Sequence, residues 1–479
     1  MNPNGQSPGD YGADSIAVLT GMEAVRQAPG MYIGSTDTEG VHHLAYEVVE
    51  NAIDEALAGY CTRLDLTLHA DGSCSVEDNG RGIPVAMHTA EGVSAVEVVL
   101  TRLHAGGKFK AGSYGRTTGL HGMGLSCVNA LSEWLEVHVW REGGRWTQRY
   151  RRGVPETALL RVEETDRTGT LVRFRPDPEI FPVPRLLRPV LAQRLEELAF
   201  LNPGIVITLS DERDERSDTW TYESGLLGYI EHLREGRSLV HAAPLHIQHH
   251  SERLDFELVL QWTGDYGEHL HGFVNTVHTV YGGSHIGGLK KALSRALNTY
   301  AVESGLAEDV DGDPITPTDA LEGLTAVLAV QMEVPRFEGQ TKTRLAVEWV
   351  LDEVEQVVTA QLLGLLRGDG RLATQIVGRC LDASRARLAA RRASTRARFT
   401  QGALTVDEDL YKKQFGIRSA NWHDSAVWIT DEELLARHAA MCKVPEGARM
   451  LDVCCGSGVV GASFRGRVGE MVGLDLTPE

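Results

Sequence analysis

YEVVENAIDEALAGY, residues 46–60, carries its apolar residues at helical spacing, and steps of four put Glu47, Asn51 and Glu55 on one face with Asp54 beside them. One wall therefore holds carboxylates and an amide. An Asn oxygen is a hard ligand suited to a Mg²⁺ that also touches phosphate, and a Glu one turn back can polarise a water at the γ-phosphate. His43, four residues before Glu47, is placed to orient that carboxylate. Alone, such a helix reads as a solvated acidic face. The stretches after it change the reading.

VEDNGRGIP, residues 76–84, ends a β-rich run in a turn. Asp78 can accept from an adenine amino group, while Gly80 and Gly82 let backbone approach a planar base. LHAGGKF (103–109) supplies Gly106, Gly107 and Lys108. GLHGMGLS (119–126) supplies Gly119, Gly122 and Gly124 just before the helical run SCVNALSEWL. Glycines at a helix start expose N–H groups to phosphate, and a lysine adds a point charge. No GxxxxGK[ST] motif occurs, so this is not a Walker loop.

The chain has 479 residues, 42% hydrophobic and 24% charged, the usage of soluble globular proteins, and its length allows two to four domains. It has no basic and apolar leader and no apolar stretch long enough to span a bilayer, so a cytoplasmic protein without membrane insertion is expected. Lys plus Arg number 47 against 66 Asp plus Glu, net −19, so any contact with a polyanion must come from a local patch. The seven cysteines form no CxxC pair, and reduced thiols are expected.

EVVENAIDEALAG, EDNGRGIP, VLTRLHAGGKF, GLHGMGLSCVNALS and TGTLVRF, in this order and spacing, resemble the Bergerat-fold (GHKL) ATPases, and closely the family of bacterial gyrase B and its topoisomerase IV counterpart. The resemblance implies ATP and Mg²⁺ as cofactors, Glu47 as general base, His43 as its helper, and Asn51 as the metal ligand. It further implies an ATP site of Asn51, Asp78, Gly82, Ile83, Gly106, Gly107, Lys108, Tyr114, Gly119, Leu120, His121, Gly122, Gly124, Thr170 and Gln340. Tyr11 sits where the family's N-terminal arm reaches into a partner protomer. Arg81 and Arg141 lie at the rim where aminocoumarins bind in relatives. FVNTVHTVYGGSHIGGLKKAL, TDALEGLTAVLAV and RFEGQTKTRL look like the family's transducer, with Gln340 and Lys342 reaching across domains to the γ-phosphate.

The implied fold is α+β: a Bergerat α/β sandwich, a ribosomal-S5-like α/β transducer with long C-terminal helices, then a partial Rossmann-like segment. The expected division is an arm (1–14), ATPase (15–224), transducer (225–404), helical linker (405–445) and βαβ segment (446–479). Arg385, Arg387, Arg391, Arg392, Arg396 and Arg398 place six positive charges in fourteen residues with no acid among them, and clustered arginine suits duplex phosphates. A homodimer, double-stranded DNA and a gyrase A-type subunit are the expected partners.

After Leu404 the family's Glu-Gly-Asp-Ser-Ala signature of a metal-binding TOPRIM domain does not follow, so this chain is not expected to supply strand cleavage by itself. LDVCCGSG and GLDL instead resemble the opening of a class I S-adenosylmethionine methyltransferase, with Asp452, Gly456, Gly458 and Asp475 as its motif. The leading function is an ATP-driven gate of a type II topoisomerase. The alternatives are a nucleotide- or inhibitor-binding regulator or resistance protein, or a sensor fused to a methyltransferase. Asp309, Asp311 and Asp313 read as an exposed turn because Pro314 and Ala320 break the Ca²⁺-loop pattern, and His246, His249 and His250 read as solvated strand positions.

Overall fold

The computed structural model describes residues 21–107, 117, 122–306, 314–400, 448–453 and 468–474, with side chains described up to residue 393. It divides into two compact units, 1–390 and 391–479.

The first unit opens with α1 (Gly21–Gln27), α2 (Gly30–Ile33) and α3 (Thr38–Leu57), followed by β1 (Arg63–Leu68), β2 (Cys74–Asp78), α4 (Ala95–Thr101) and α5 (Gly124–Ala130). Then come β3 (Ser132–Arg141), β4 (Gly144–Arg151), β5 (Val154–Pro155), β6 (Leu160–Glu164), β7 (Gly169–Pro176), α6 (Arg188–Leu201), β8 (Val206–Asp211) and β9 (Arg216–Trp220). These nine strands form one mixed sheet in the order β5-β4-β3-β7-β2-β1-β8-β9, with β6 also on β4. Alternation in β1 and β7 sends Leu64, Leu66 and Leu68, with Val172 and Phe174, into a core shared with Leu44, Val48 and Ile53 of α3. Each such buried side chain is worth about 1.5–3 kcal/mol, which fixes α3 across the sheet with its polar edge outward.

Next are α7 (Gly225–Leu233), β10 (Leu245–His250), β11 (Asp255–Trp262), β12 (His269–Val274), β13 (Val277–His278), α8 (Ser284–Glu303), α9 (Pro317–Leu321), β14 (Leu324–Gln331) and α10 (Glu348–Gly368). The five strands form a second mixed sheet, β10-β11-β14-β12-β13. Val350, Val354, Val358, Leu362 and Leu366 repeat every four residues along α10 and are fully buried in the core that α8 shares. The run HGFVNTV spans the end of β12 and a turn. Asn275 and Thr276 take φ of 47° and 68°, which ends β12 and turns the chain into β13. Asp369 caps helix α11 (Gly370–Thr400), its Oδ1 accepting from the N–H groups of Arg371 and Leu372, both at 3.0 Å.

In the second unit β15 (Ala448–Val453) and β16 (Val468–Leu474) pair in parallel. Asp452 lies on β15. The residues between these strands, with Gly456 and Gly458, and also Asp475, lie outside the described residues, as do Asp309, Asp311 and Asp313.

Candidate active site

Helix α3 builds one wall. Asp37 caps it, its Oδ1 accepting from Glu39 N–H at 2.8 Å, and the Ser35 hydroxyl at 2.5 Å holds that carboxyl below its ordinary pKa. One turn in, His43 Nε2 stands 3.3 Å from Glu47 Oε1, the helical i,i+4 spacing. Asn51 donates its amide N–H to the Glu47 carbonyl at 2.5 Å, so its side-chain oxygen is the atom with Mg²⁺-ligand chemistry. Glu47 itself is 7% exposed. Gly124, at the start of α5, approaches so closely that a Cβ there would overlap the Glu47 carboxylate.

Asp78 ends β2, paired with Leu64 on β1 and Thr170 on β7. Its Oδ1 accepts from Gly80 N–H at 2.8 Å. Burial, reinforced by Glu55, outweighs the Gly80 and Thr170 backbone groups and pushes its carboxyl up to about 7. Gly82 turns the chain with φ of 76°, and a Cβ there would lie 2.7 Å from the Trp140 carbonyl. Glu55 fixes the turn: Arg81 gives it its backbone N–H at 3.0 Å, Nε at 3.0 Å and Nη2 at 2.8 Å, while lying over the Tyr60 ring at 3.8 Å. Arg141 donates to the Gly82 carbonyl at 2.6 Å. Ile83 follows, half-buried.

These groups predict a pH dependence. An adenine amino group needs an acceptor, and near pH 7 Asp78 is partly protonated. Nucleotide affinity is therefore expected to tighten by up to about tenfold between pH 6 and pH 7.5. Asp78→Asn is expected to weaken binding and flatten that slope. Calorimetric titration of both proteins checks this, since subtracting the two profiles removes the nucleotide's own titration; parallel profiles refute it. For folding the sign is opposite. The raised carboxyl binds more protons folded than unfolded, so its contribution is present below the unfolded value of about 4 and is lost as pH rises through about 7.

The third wall comes from beyond β14. Lys342, with φ of 55°, is buried and sets Nζ 2.6 Å from Glu50 Oε2 and 3.7 Å from Glu47 Oε1. Burial opposes its charge, yet Glu47 and then Glu50 hold its pKa above the ordinary lysine value. Gln340, two residues earlier, is half-buried. Glu50 is a site group that the helix pattern did not single out, while Asp54, named beside that face, is fully buried. The signal for Glu50 was its place one residue before Asn51, meaningful only once Lys342 is known to arrive there.

Gly106, Gly107 and Gly122 lie between α4 and α5, where Ala105 N–H donates to the Gly122 carbonyl at 3.1 Å. Tyr11, Lys108, Tyr114, Gly119, Leu120 and His121 lie outside the described residues. On α11 two of the six clustered arginines have acidic partners from outside their own run. Arg385 bonds Asp382 at 2.7 Å, and Arg387 Nε bonds Asp319 of α9 at 2.9 Å. Arg391 and Arg392 are exposed on the same helix, and the side chains of Arg396 and Arg398 lie outside the described residues. His246, His249 and His250 pair with Glu257, Glu353 and Asp255 at 2.8, 3.1 and 3.5 Å. Among the described residues no metal-binding group of His, Cys, Asp or Glu forms, and no helix is long and apolar enough to cross a membrane.

Residues 36–180 match the family of histidine kinase-, DNA gyrase B- and HSP90-like ATPases, the class that this α3 wall, sheet-end aspartate and glycine turn define. Residues 225–396 match the DNA gyrase B family. The chain is 46% identical over 387 residues to DNA gyrase B of Myxococcus xanthus, covering 81% of this chain and 47% of that one. It is 46% identical over 388 residues to the Haloferax lucentense gyrase B, covering 80% and 61%. The 43K ATPase domain of Thermus thermophilus gyrase B, solved with an aminocoumarin, superposes with a TM-score of 0.64 at 38% identity, covering 78% of this chain and 97% of that domain. The topoisomerase IV ATP-binding domain of Francisella tularensis gives 0.63 at 31% identity, covering 78% and 99%. The chain belongs to the DNA gyrase B family. It spans about half to three fifths of the length of these two curated relatives.

Proposed function

We propose that this chain binds and hydrolyses ATP as the gate of a gyrase-B-like type II topoisomerase. The observation that carries the reading is Lys342, a cation from the second sheet's domain, seated against the Glu47 carboxylate. In this reading Asp78 accepts from the adenine amino group, and the Asn51 side-chain oxygen would hold Mg²⁺, which would supply charge neutralisation at the phosphates. Glu47 takes the proton of the attacking water while His43 keeps its carboxylate aimed. Lys342 leaves Glu50 for the γ-phosphate, so the second domain senses which nucleotide is present. Gln340 and the glycines at 106, 107, 122 and 124 complete the phosphate side. The expected division into arm, ATPase, transducer, linker and βαβ segment is kept.

The proposed partners are a second copy through the ATPase domain, duplex DNA along the α11 arginines, and a gyrase A-type subunit, all in the cytoplasm. A second reading, an inhibitor-binding regulator, draws on Arg141, which donates to the Gly82 carbonyl, and on the Thermus thermophilus relative solved with an aminocoumarin. Protein concentration tests the gate. ATP turnover is expected to rise faster than linearly with chain concentration, because closure takes two copies; turnover per chain that stays constant under dilution would refute it.

A further inference from the structure

One buried side chain joins the two segments that the phosphate side depends on. Asn275 sits at the β12–β13 turn of the second sheet and is 1% exposed. Its Nδ2 donates to the Thr117 carbonyl at 2.7 Å and to the Met332 carbonyl at 2.8 Å, and its Oδ1 accepts from Met332 N–H at 2.9 Å. Its backbone N–H donates to the Val330 carbonyl at 2.8 Å. Thr117 lies between the glycines at 107 and 122, and Met332 follows β14 at the root of the loop carrying Gln340 and Lys342.

The turn holding this side chain is held in an uncommon shape. A two-residue turn with both φ positive ordinarily takes Asn-Gly. Here the second position is Thr276, a β-branched residue for which φ of 68° is an outlier. It is held from the nucleotide domain, where Arg194 of α6 donates to the Thr276 carbonyl at 2.9 Å and pairs with Glu197 at 3.1 Å. Strain of this kind persists where surrounding contacts over-determine it, often at sites that must be pre-organised.

We propose that Asn275 is a positioning residue for hydrolysis. It ties the Thr117 carbonyl to the root of the Gln340–Lys342 loop, so that Lys342 is held in register with Glu47 and Glu50. This assignment rests on the nucleotide reading above. It makes Asn275 discriminate by phosphate number: the base and ribose are held elsewhere, by Asp78 and its turn.

The test uses the full chain with Mg²⁺, measuring affinity for ADP and for a non-hydrolysable triphosphate analogue, together with kcat. Asn275→Gly keeps the turn, since glycine accepts a φ of 47°. It is expected to leave ADP affinity within about twofold while weakening the triphosphate and lowering kcat by about tenfold or more, through the loss of all three side-chain hydrogen bonds of Asn275. Asn275→Asp keeps the size but sets an acceptor against two carbonyls, and is expected to move the same ratio further. An unchanged triphosphate-to-ADP ratio with wild-type kcat in Asn275→Gly overturns the assignment, as does a parallel loss of both affinities. Wild-type chain that binds neither nucleotide overturns the underlying reading and this assignment together.

Discussion

Glu47→Ala is expected to keep Mg·ATP binding and to lose turnover by roughly 10²–10⁴-fold, the range a positioned general base supplies. Binding survives because the groups assigned to the adenine and the metal, Asp78 and Asn51, keep their anchors. Asp78 is set by Gly80 and the β7 strand, and Asn51 bonds the backbone carbonyl at 47, which alanine retains. The fold survives as well, since Lys342 keeps its closer partner Glu50 at 2.6 Å. Glu47→Gln is the sharper variant, because it leaves the packing beneath Gly124 intact and removes only the basicity. Single-turnover hydrolysis measured with calorimetric affinity separates the two effects. Hydrolysis by Glu47→Gln at the wild-type rate would show that the proton goes elsewhere; a collapse of affinity would show that Glu47 holds the nucleotide rather than the water.

What made this site readable from sequence was that most of it is local. Spacing of four within α3 suffices to place His43, Glu47, Asn51 and Glu55, and Asp78 with its glycine turn is one strand end. The runs at 63–68 and 169–176 alternate over a half-buried surface, while 74–78 is buried over its first three residues and leads into the glycine turn. What could not be read is what meets across long separations. Glu50 gains its meaning from Lys342, almost three hundred residues on, and Asn275 from Thr117 and Met332. The arginines of α11 have no acid within their run of fourteen residues, yet Arg385 finds Asp382 one turn back and Arg387 finds Asp319 on a different helix. The histidines of β10 likewise find their carboxylates on β11 and α10. Charge patterning along a chain reports what a segment carries and says little about what neutralises it.

Those long-range pairs also explain why the second domain cannot be a passive appendage of the first. Lys342 is buried, so in the absence of phosphate its charge must be balanced, and Glu50 and Glu47 are the acids that balance it. On the proposed reading, a γ-phosphate offers Lys342 a competing anion and draws Nζ from the partly buried Glu50 carboxylate, so triphosphate binding is expected to be coupled to how the loop after β14 sits on α3. A diphosphate, with no terminal group within reach, leaves the Lys342–Glu50 pair in place.

From this follows the second large effect. Lys342→Met, which keeps an apolar stem in the buried slot, is expected to lower kcat by about 10²-fold or more through the loss of a cation at the developing phosphate charge. ADP affinity is expected to stay within about twofold, since no diphosphate contact is assigned to this residue. The same variant should lower stability by roughly 3–5 kcal/mol, the cost of breaking a buried ion pair. The pH course of that stability loss gives its sign. Lys342 has a folded pKa above its unfolded value, so its contribution is fully present below about 10.4 and fades only at higher pH. The wild-type advantage over Lys342→Met should therefore be undiminished at pH 8 and pH 9. Glu50→Gln separates the two roles: it removes the resting partner while keeping the cation, so kcat should persist where Lys342→Met has lost it. Equal kcat in Lys342→Met and the wild type would detach the second domain from the chemistry, and an equal loss in Glu50→Gln would make the ion pair, rather than the phosphate contact, the thing hydrolysis needs.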